Sequence, residues 1–240
     1  MDIPSTSDAY WDAKFREAKA FWKHDGNPKR PYALLSTRSS TGTRRISNAF
    51  FKGSKISQRP ALLEEATREL VRRANVYLRS ACNLQLHADV VVAPAKGAVM
   101  LGYEMTRRFP KALAWFTEPE GEGAARHMAL QRFDEDLSEK SWVLGVEDVV
   151  TTGASGDSAI DAVLARHRVN VYDCLLCLAN RSGFDTTPGG KHIISLVTMT
   201  DVRVWNEGSN PYTPGAGAGN ELVEPVDPDH EWYALTREYD

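Results

Sequence analysis

The sequence predicts an α/β fold in which helices flank a central, mainly parallel sheet. Short apolar segments typical of buried strands alternate with helical patterns between residues 58 and 200, and this alternation favours parallel pairing. The chain has 240 residues, of which 42% are hydrophobic, enough for the core of one α/β domain. An apolar strand at 143–146 leads through a tight turn into a helical pattern, as ligand-binding turns of such sheets do.

The N-terminal part of the chain predicts one helix followed by extended segments. Residues 8–23 place apolar side chains at helical spacing, which indicates an amphipathic helix. These side chains are Trp11, Phe15, Ala18 and Trp22. Residues 28–57 are rich in Ser, Thr, Gly and Arg, so extended segments and turns are expected. A second helix should begin after Ser57 with Pro60 in its first turn.

The rest of the chain alternates between strands and helices. Strands are predicted at residues 88–93, 112–116, 142–146, 169–179 and 193–197, and helices at 97–109 and 155–167. Polar residues 118–140 form a stretch too long for a plain connection in a compact domain. The Gly- and Pro-rich tail from residue 205 is expected to wrap the sheet. No internal repeat or linker divides the chain, so residues 1–240 are predicted to form a single domain.

Composition and charge exclude several classes of function. The formal net charge of −3 gives no electrostatic support for a nucleic-acid or membrane-surface partner, although basic residues gather at 38–59. No signal peptide and no apolar run long enough to cross a membrane is visible. Three cysteines do not make an even disulfide framework, and Cys174 and Cys177 lie three apart on a predicted strand, where they face opposite sides. We therefore expect a cytoplasmic protein without a protein-held metal site.

Residues 143–155 carry the strongest functional signal. The strand runs into two adjacent acids, Glu147 and Asp148, and then into a turn of small hydroxyl residues and glycine at 151–155 before a helix begins. Backbone N–H groups and a helix N-terminus that converge on one point suit a phosphate dianion. The acids just before this turn can accept hydrogen bonds from sugar hydroxyls. One segment thus offers contacts for both a phosphate and a ribose, where an ordinary βα turn would need no acid pair.

Two more segments fall where a parallel sheet places ligands, at the carboxyl ends of strands. Lys96 and Gly97 follow the strand that ends near Ala93, and they combine one ammonium with backbone N–H groups. A lysine beside a loop is more often only solvated, but this one precedes the acid-pair turn by one βα unit. Asn180 and Arg181 end another strand, and a guanidinium can hold a carboxylate with two parallel hydrogen bonds.

These motifs resemble those of the type I phosphoribosyltransferases, closest to the orotate phosphoribosyltransferases. Glu147-Asp-Val-Val-Thr-Thr-Gly153 is similar to the family's diphosphoribosyl-binding motif, and Ala93-Pro-Ala-Lys-Gly97 to its Gly-Pro-Ala-x-Lys-Gly loop, shortened by one residue. The resemblance implies a type I phosphoribosyltransferase-like fold with a small hood from the N- and C-terminal segments. In this interpretation residues 1–57 form the N-terminal helix and hood, 58–200 the core and 201–240 a C-terminal wrap.

The resemblance also implies roles for the donor site. Glu147 and Asp148 would contact the ribose hydroxyls of 5-phosphoribosyl-1-diphosphate. The turn that would hold the 5′-phosphate comprises Val149, Thr151, Thr152, Gly153, Ala154 and Ser155. Lys96 and Gly97, with Arg126 and Arg132 of a mobile catalytic loop at 118–140, would contact the diphosphate. Pro119 and Gln131 stand where the family has arginines, so a solvated loop without a catalytic role is the alternative interpretation.

For the acceptor base, the resemblance is weaker. Ser36, Asn48 and Phe50 match residues of the family's hood, and Arg181 matches the arginine that meets the orotate carboxylate. Asn180 departs from the aspartate that precedes this arginine in the family, which bears on how Arg181 is positioned.

Together these residues predict a pentosyltransferase that joins orotate or a similar base to the diphosphoribosyl donor, releasing diphosphate, in pyrimidine nucleotide biosynthesis. By the same resemblance, Mg²⁺ would be held mainly through the diphosphate, and the protein would be a homodimer. Two alternatives stay open: transfer to a different base, and a non-catalytic regulatory protein that only binds the donor.

Overall fold

In a computed structural model, the described residues are 7–27, 30–38, 42–121, 127–133, 135–206 and 224–237, with only the backbone described at 36–38. They fall into two compact units: residues 1–12 with 53–199, and residues 13–52 with 200–240. In chain order the strands are β1 (Phe21–Lys23), β2 (Ala33–Arg38), β3 (Arg44–Ser47), β4 (Ala49–Phe51), β5 (Val90–Pro94), β6 (Leu113–Glu120), β7 (His127–Ala129), β8 (Trp142–Val150), β9 (Asn170–Asn180), β10 (His192–Thr198) and β11 (Val204–Asn206). The helices are α1 (Asp8–Glu17), α2 (Ser54–Ser57), α3 (Pro60–Cys82), α4 (Val99–Thr106), α5 (Ala154–Leu164) and α6 (Trp232–Thr236).

The larger unit contains a six-stranded sheet in the order β10-β9-β8-β5-β6-β7. Every pairing is parallel except that of β6 with β7, which is antiparallel. The predicted mainly parallel α/β sheet is therefore confirmed. The chain places β6 on one side of β5 and β8 on the other side. The carboxyl ends of β5 and β8 therefore lie side by side at such a switch in strand order, which is where sheets of this kind bind ligands.

Helices cover both faces of this sheet. Successive residues of a strand point to opposite faces. Val92 of β5 packs in a buried cluster with Ile160 of α5, whereas Ala93 lies against Gly102 of α4, where an added methyl group would be 3.0 Å from the Ala93 Cβ. On β8, Gly145 has no space for a side chain because the Ile160 side chain occupies that position. One face of the sheet is therefore covered by α5 and the other by α4. Along β8, successive side chains keep alternating between these two faces as far as the acid pair.

Three elements end about four or more residues away from the predicted position. Helix α1 ends at Glu17 because Lys19 has a left-handed backbone (φ 54°), and Trp22 lies instead on β1, paired with Phe50 of β4. Strand β8 continues through the acid pair to Val150, which is paired with β9. Strand β6 runs to Glu120 because β7 pairs with its end.

The smaller unit is built from an N-terminal and a C-terminal segment of the chain. Strand β3 pairs with β2 on one side and with β11 on the other. Its aromatic core contains Trp22 and Trp232, with Phe50 packed against them. Aromatic side chains supply large buried areas in a unit that is too small for many aliphatic contacts.

No helix among the described residues is long and apolar enough to cross a membrane. All three cysteines are free, with Cys174 and Cys177 buried in β9 and Cys82 exposed at the end of α3.

Candidate active site

The two acids lie at the carboxyl end of β8 and point to opposite faces of the sheet. Glu147 is on the same face as Gly145 and points toward the start of α5, where a methyl group added to Gly156 would lie 3.2 Å from its Oε2. Asp148 is on the α4 face, next to the loop that follows β5. The pair therefore reaches two different loops from one strand end.

Glu147 is buried, and its environment disfavours the ionised form. Burial raises the pKa of this carboxyl to about 8, the neighbouring Asp148 and then Asp157 add to the rise, and hydrogen bonding from Gly156 N–H and the Ser155 hydroxyl opposes it. Within the described part of the chain, Oε2 of Glu147 has no hydrogen-bond partner. A buried, unsatisfied carboxyl oxygen at a strand end is available to accept a ligand hydroxyl.

Asp148 lies against two glycines that leave space for its carboxylate. A methyl group added to Gly97 would lie 2.6 Å from Oδ2 of Asp148, and one added to Gly53 would lie even closer to the same oxygen. Real Cβ atoms do not approach that closely, so both positions require glycine unless Asp148 moves. The loop after β5 and the end of β8, predicted separately as diphosphate and ribose contacts, are thus adjacent in the fold.

The turn from Thr151 to Ser155 connects β8 to α5. Gly153 has a φ of +85°, which favours glycine, and the turn's hydroxyl residues are exposed. Thr152 Oγ1 accepts a hydrogen bond from Ala154 N–H at 3.3 Å, which shapes the turn. The eleven-residue α5 begins within this turn, at Ala154, so the positive end of the helix dipole lies at the exposed turn. Val149 lies before the turn, within β8 and paired with Ala179.

Lys96 and Gly97 are both exposed at the end of β5. Ala95 N–H donates to the Thr117 carbonyl of β6 at 2.7 Å, which fixes the start of this loop. On β6, the pKa of Glu118 is held below its usual value, first by a hydrogen bond from Arg132 and also by the charge of Lys96. The charged side chains of Lys96, Glu118 and Arg132 therefore lie close together near the loop that follows β5.

Arg132 does not extend freely into solvent, because its Nε donates to Glu118 Oε2 at 2.9 Å. Arg126 lies outside the described residues. The predicted loop 118–140 is not a structureless connection in its described part, since its first residues complete β6 and residues 127–129 form β7.

Strand β7 and the segment after it are docked on α5 and on the residues that follow α5. Met128 N–H donates to Ser158 Oγ at 3.1 Å, and Arg166 donates to the carbonyls of Leu130 and Phe133 at 2.8 and 3.2 Å. Leu130 is buried in the α5-face core, and the Phe133 ring stacks on Trp115 at a centroid distance of 5.8 Å. These contacts hold the segment in place and so position Arg132 next to Glu118.

Arg181 lies at the carboxyl end of β9, next to β8, and it is buried. Burial lowers the pKa of its guanidinium to about 10, which leaves it protonated at neutral pH. Its backbone N–H donates to the Val150 carbonyl at 2.9 Å, tying it to the strand that carries the acids.

Asn180 organises the turn that follows. Its Nδ2 donates to the Phe184 carbonyl at 2.8 Å, and its Oδ1 accepts from Ser182 N–H at 3.0 Å. An ionised aspartate has no N–H to donate. The asparagine that replaces the family's aspartate therefore makes a hydrogen bond to the Phe184 carbonyl that an aspartate could not make.

The hood residues are held by contacts within the smaller unit. Both ends of the Asn48 amide are occupied, since Nδ2 donates to the Asp201 carbonyl at 3.0 Å and Oδ1 accepts from Arg203 N–H at 2.7 Å. The Phe50 ring lies 5.9 Å from that of Trp232. Ser36 is in β2, and its side chain lies outside the described part of the chain.

Sequence reasoning missed Gly53, because no local pattern connects it with an acid 95 residues away. It also missed Asp157, whose carboxylate leaves α5 to bind residues of the β9–β10 connection. An acid in the first turn of a helix is ordinary, so nothing local distinguished it.

The chain is similar in sequence and in fold to known proteins. The orotate phosphoribosyltransferase of Maricaulis maris is 27% identical over 165 residues, which cover 69% of this chain and 75% of the relative. That of Erythrobacter litoralis is 43% identical over 75 residues, 31% of this chain and 36% of the relative. The crystal structure of orotate phosphoribosyltransferase from Aeropyrum pernix matches with a TM-score of 0.54 at 19% identity, covering 78% of this chain and 92% of that one. No family model matches the chain. The chain therefore has the type I phosphoribosyltransferase fold and is similar in sequence to proteins named orotate phosphoribosyltransferase, as its motifs predicted.

Proposed function

We propose that this protein transfers the phosphoribosyl group of 5-phosphoribosyl-1-diphosphate to orotate, giving a nucleoside 5′-monophosphate and diphosphate. The observation that carries the proposal is the contact of Asp148 with Gly97, because it joins the acid-pair turn to the lysine loop in one site. Relatives named orotate phosphoribosyltransferase support the choice of reaction, which we assign to pyrimidine nucleotide biosynthesis.

The donor would be held at three points. The turn from Thr151 to Ser155 and the N-terminus of α5 offer N–H groups to the 5′-phosphate. Glu147 and Asp148 offer carboxyl oxygens to the ribose hydroxyls. Lys96 offers its ammonium to the diphosphate, and Arg132 would join it after leaving Glu118.

Catalysis would rest on positioning and on charge. As the bond from the ribose carbon to the diphosphate breaks, positive charge develops on the ribose ring and negative charge on the leaving oxygens. The Asp148 carboxylate faces the ring side of this charge separation, and Lys96 faces the other side. The exposed phosphate turn holds the unreactive end of the donor still, so binding energy there lowers the barrier at the reacting carbon.

The residues present are compatible with Mg²⁺ carried on the donor. Glu147 and Asp148 supply oxygen atoms, the ligands that this ion prefers, and no group of three or more potential metal-binding side chains occurs among the described residues. Bound with the donor, the ion would neutralise charge on the departing diphosphate.

The acceptor site centres on Arg181. A buried, protonated guanidinium without bulk water around it favours a ligand with a carboxylate, and orotate carries one. This preference is what distinguishes orotate from bases that lack an acidic group. Transfer to another base, and donor binding without transfer, are the competing functions.

Asp148→Asn tests the proposal directly. The amide keeps the volume of the side chain but removes the charge beside the ribose, so turnover with orotate should fall by at least about a hundredfold. Asp161→Asn, an exposed substitution on α5, is the matched control and should retain wild-type turnover. Screening a panel of bases for diphosphate release separates orotate from other acceptors. Donor binding in calorimetry without release on any base would favour the regulatory function.

We also propose a homodimer in the cytoplasm, as the resemblance implies. Light scattering should then give a mass of about twice the 26.7 kDa of the chain. A monomer at micromolar concentration would contradict the dimer.

A further inference from the structure

Asp157 uses its carboxylate to hold a turn that is distant in sequence. It lies in the first turn of α5 and is buried. Its Oδ1 accepts a hydrogen bond from the Thr187 hydroxyl at 2.8 Å, and its Oδ2 accepts one from Gly189 N–H at 2.7 Å. The Lys191 ammonium lies 3.6 Å from Oδ1 and balances the buried charge. Every one of these partners belongs to the connection between β9 and β10.

The turn at residues 187–191 is closed around this carboxylate. Thr187 N–H donates to the Lys191 carbonyl at 2.9 Å, and Gly190 N–H donates to the Thr187 carbonyl at 2.9 Å. A methyl group added to Gly189 would lie 2.8 Å from Cγ of Asp157, so the backbone packs directly on the carboxylate plane. A buried charge with several hydrogen bonds and a counter-ion fixes such a turn in one arrangement.

Thr187 joins this anchor to the phosphate turn. While its hydroxyl binds Asp157, its methyl side lies on Gly153, where an added methyl group would be 2.7 Å from Thr187 Cγ2. Gly153 is the residue with a φ of +85° in the middle of the Thr151–Ser155 turn. The same connection begins with Arg181, at the end of β9. Thr187 therefore belongs to the connection that follows Arg181 and also contacts the phosphate turn.

We propose that Asp157 is a positioning residue that holds Thr187 on Gly153 and thereby sets the shape of the 5′-phosphate turn. The proposal rests on the proposed function for the identity of the ligand, not for the contacts themselves. Asp157 touches neither the donor nor the base in this role. It acts through Thr187, and the loss of the anchor leaves the N–H groups of the phosphate turn less well ordered before the donor arrives.

Substitutions at Thr187 separate the two contacts. Thr187→Val keeps the shape that packs on Gly153 and removes the hydroxyl, whereas Thr187→Ser keeps the hydroxyl and removes the methyl group. Asp157→Asn keeps the volume and can still accept from Gly189 N–H with its amide oxygen, but it then turns its NH2 group toward the Thr187 hydroxyl, so the bond from that hydroxyl to a carboxylate is lost. Asp161→Asn on the exposed side of α5 is the control.

We expect Asp157→Asn and Thr187→Val each to weaken calorimetric binding of the diphosphoribosyl donor by about tenfold or more. The double variant should be hardly weaker than either single one, because both remove the same bond. Thr187→Ser should stay within about threefold of the wild type. In ligand-free protein, amide exchange at residues 151–155 should rise in the first two variants and not in the control.

A purely structural role predicts a different pattern. If the variants melt at lower temperature but bind the donor with wild-type affinity and show unchanged exchange at 151–155, the positioning role is wrong. If the wild type binds no donor, the proposed function fails, and the exchange measurement still decides whether Asp157 orders the turn.

Discussion

Glu147 gives the site a titration that the sequence alone does not reveal. Its pKa of about 8 lies well above the ordinary value of 4.5, mainly because the carboxyl is buried. The unfolded chain ionises this group near pH 4.5, while the folded protein keeps the proton up to about pH 8. Between these values the folded state binds more protons, so the contribution of Glu147 to stability falls as pH rises.

Glu147→Gln should remove this penalty. We expect the variant to gain stability relative to the wild type as pH rises from 5 to 8, by at most about 5 kcal/mol, and the gain to level off above pH 8. Urea unfolding at pH 5 and pH 8 measures the difference, with the exposed Glu139→Gln as control. A constant difference between the two pH values would show that Glu147 is ionised throughout.

A substitution at Gly97 should affect donor binding more than stability. A methyl group there meets the end of a side chain, Asp148 Oδ2 at 2.6 Å, so the fold can adapt but the carboxylate must move. Gly97→Ala should therefore leave the melting temperature nearly unchanged and weaken donor binding by about tenfold or more. Calorimetry and thermal unfolding of this variant and of Met100→Ala, on the exposed side of α4, make the comparison. Equal donor affinity in both variants would argue against ribose contact by Asp148.

At the scale of elements, the β6–β7 hairpin and the residues after it are anchored to α5 and its C-terminal end. Arg166 donates to two carbonyls of this segment, and Leu130 with Phe133 packs in the core. These contacts keep Arg132 beside Glu118 in the ligand-free protein. Donor binding on this account must exchange the Glu118 contact for the diphosphate, while the anchored base of the segment stays in place.

Arg166→Met tests the anchor. Removing the guanidinium leaves two carbonyls without their donor, so amide exchange at residues 127–133 should rise by about tenfold. Arg168→Met, two residues along and exposed, should leave exchange there unchanged. If Arg166→Met has no effect, apolar packing by Leu130 and Phe133 alone holds the segment.

At the scale of the whole molecule, the sheet was predictable because its strands are buried on both faces and have nearly continuous apolar sequences. The boundaries of the elements were harder to predict. Trp22 fits helical spacing after Phe15 but belongs to β1. The two acids of β8 interrupt its apolar pattern, although the backbone stays extended to Val150. The site was predictable where one segment carries it, at residues 147–155. The contacts of Gly53 with Asp148 and of Asp157 with Thr187 arise only when the chain folds, because they join residues far apart in sequence.

We propose above all that the acid pair, the phosphate turn and the lysine loop form one donor site that serves transfer to orotate. The most direct measurement is diphosphate release from 5-phosphoribosyl-1-diphosphate with Mg²⁺ and orotate, in the wild type, Asp148→Asn and Asp161→Asn. We expect turnover in the wild type and in Asp161→Asn, with a loss of at least about a hundredfold in Asp148→Asn. Equal turnover in all three proteins, or none in the wild type, would contradict it.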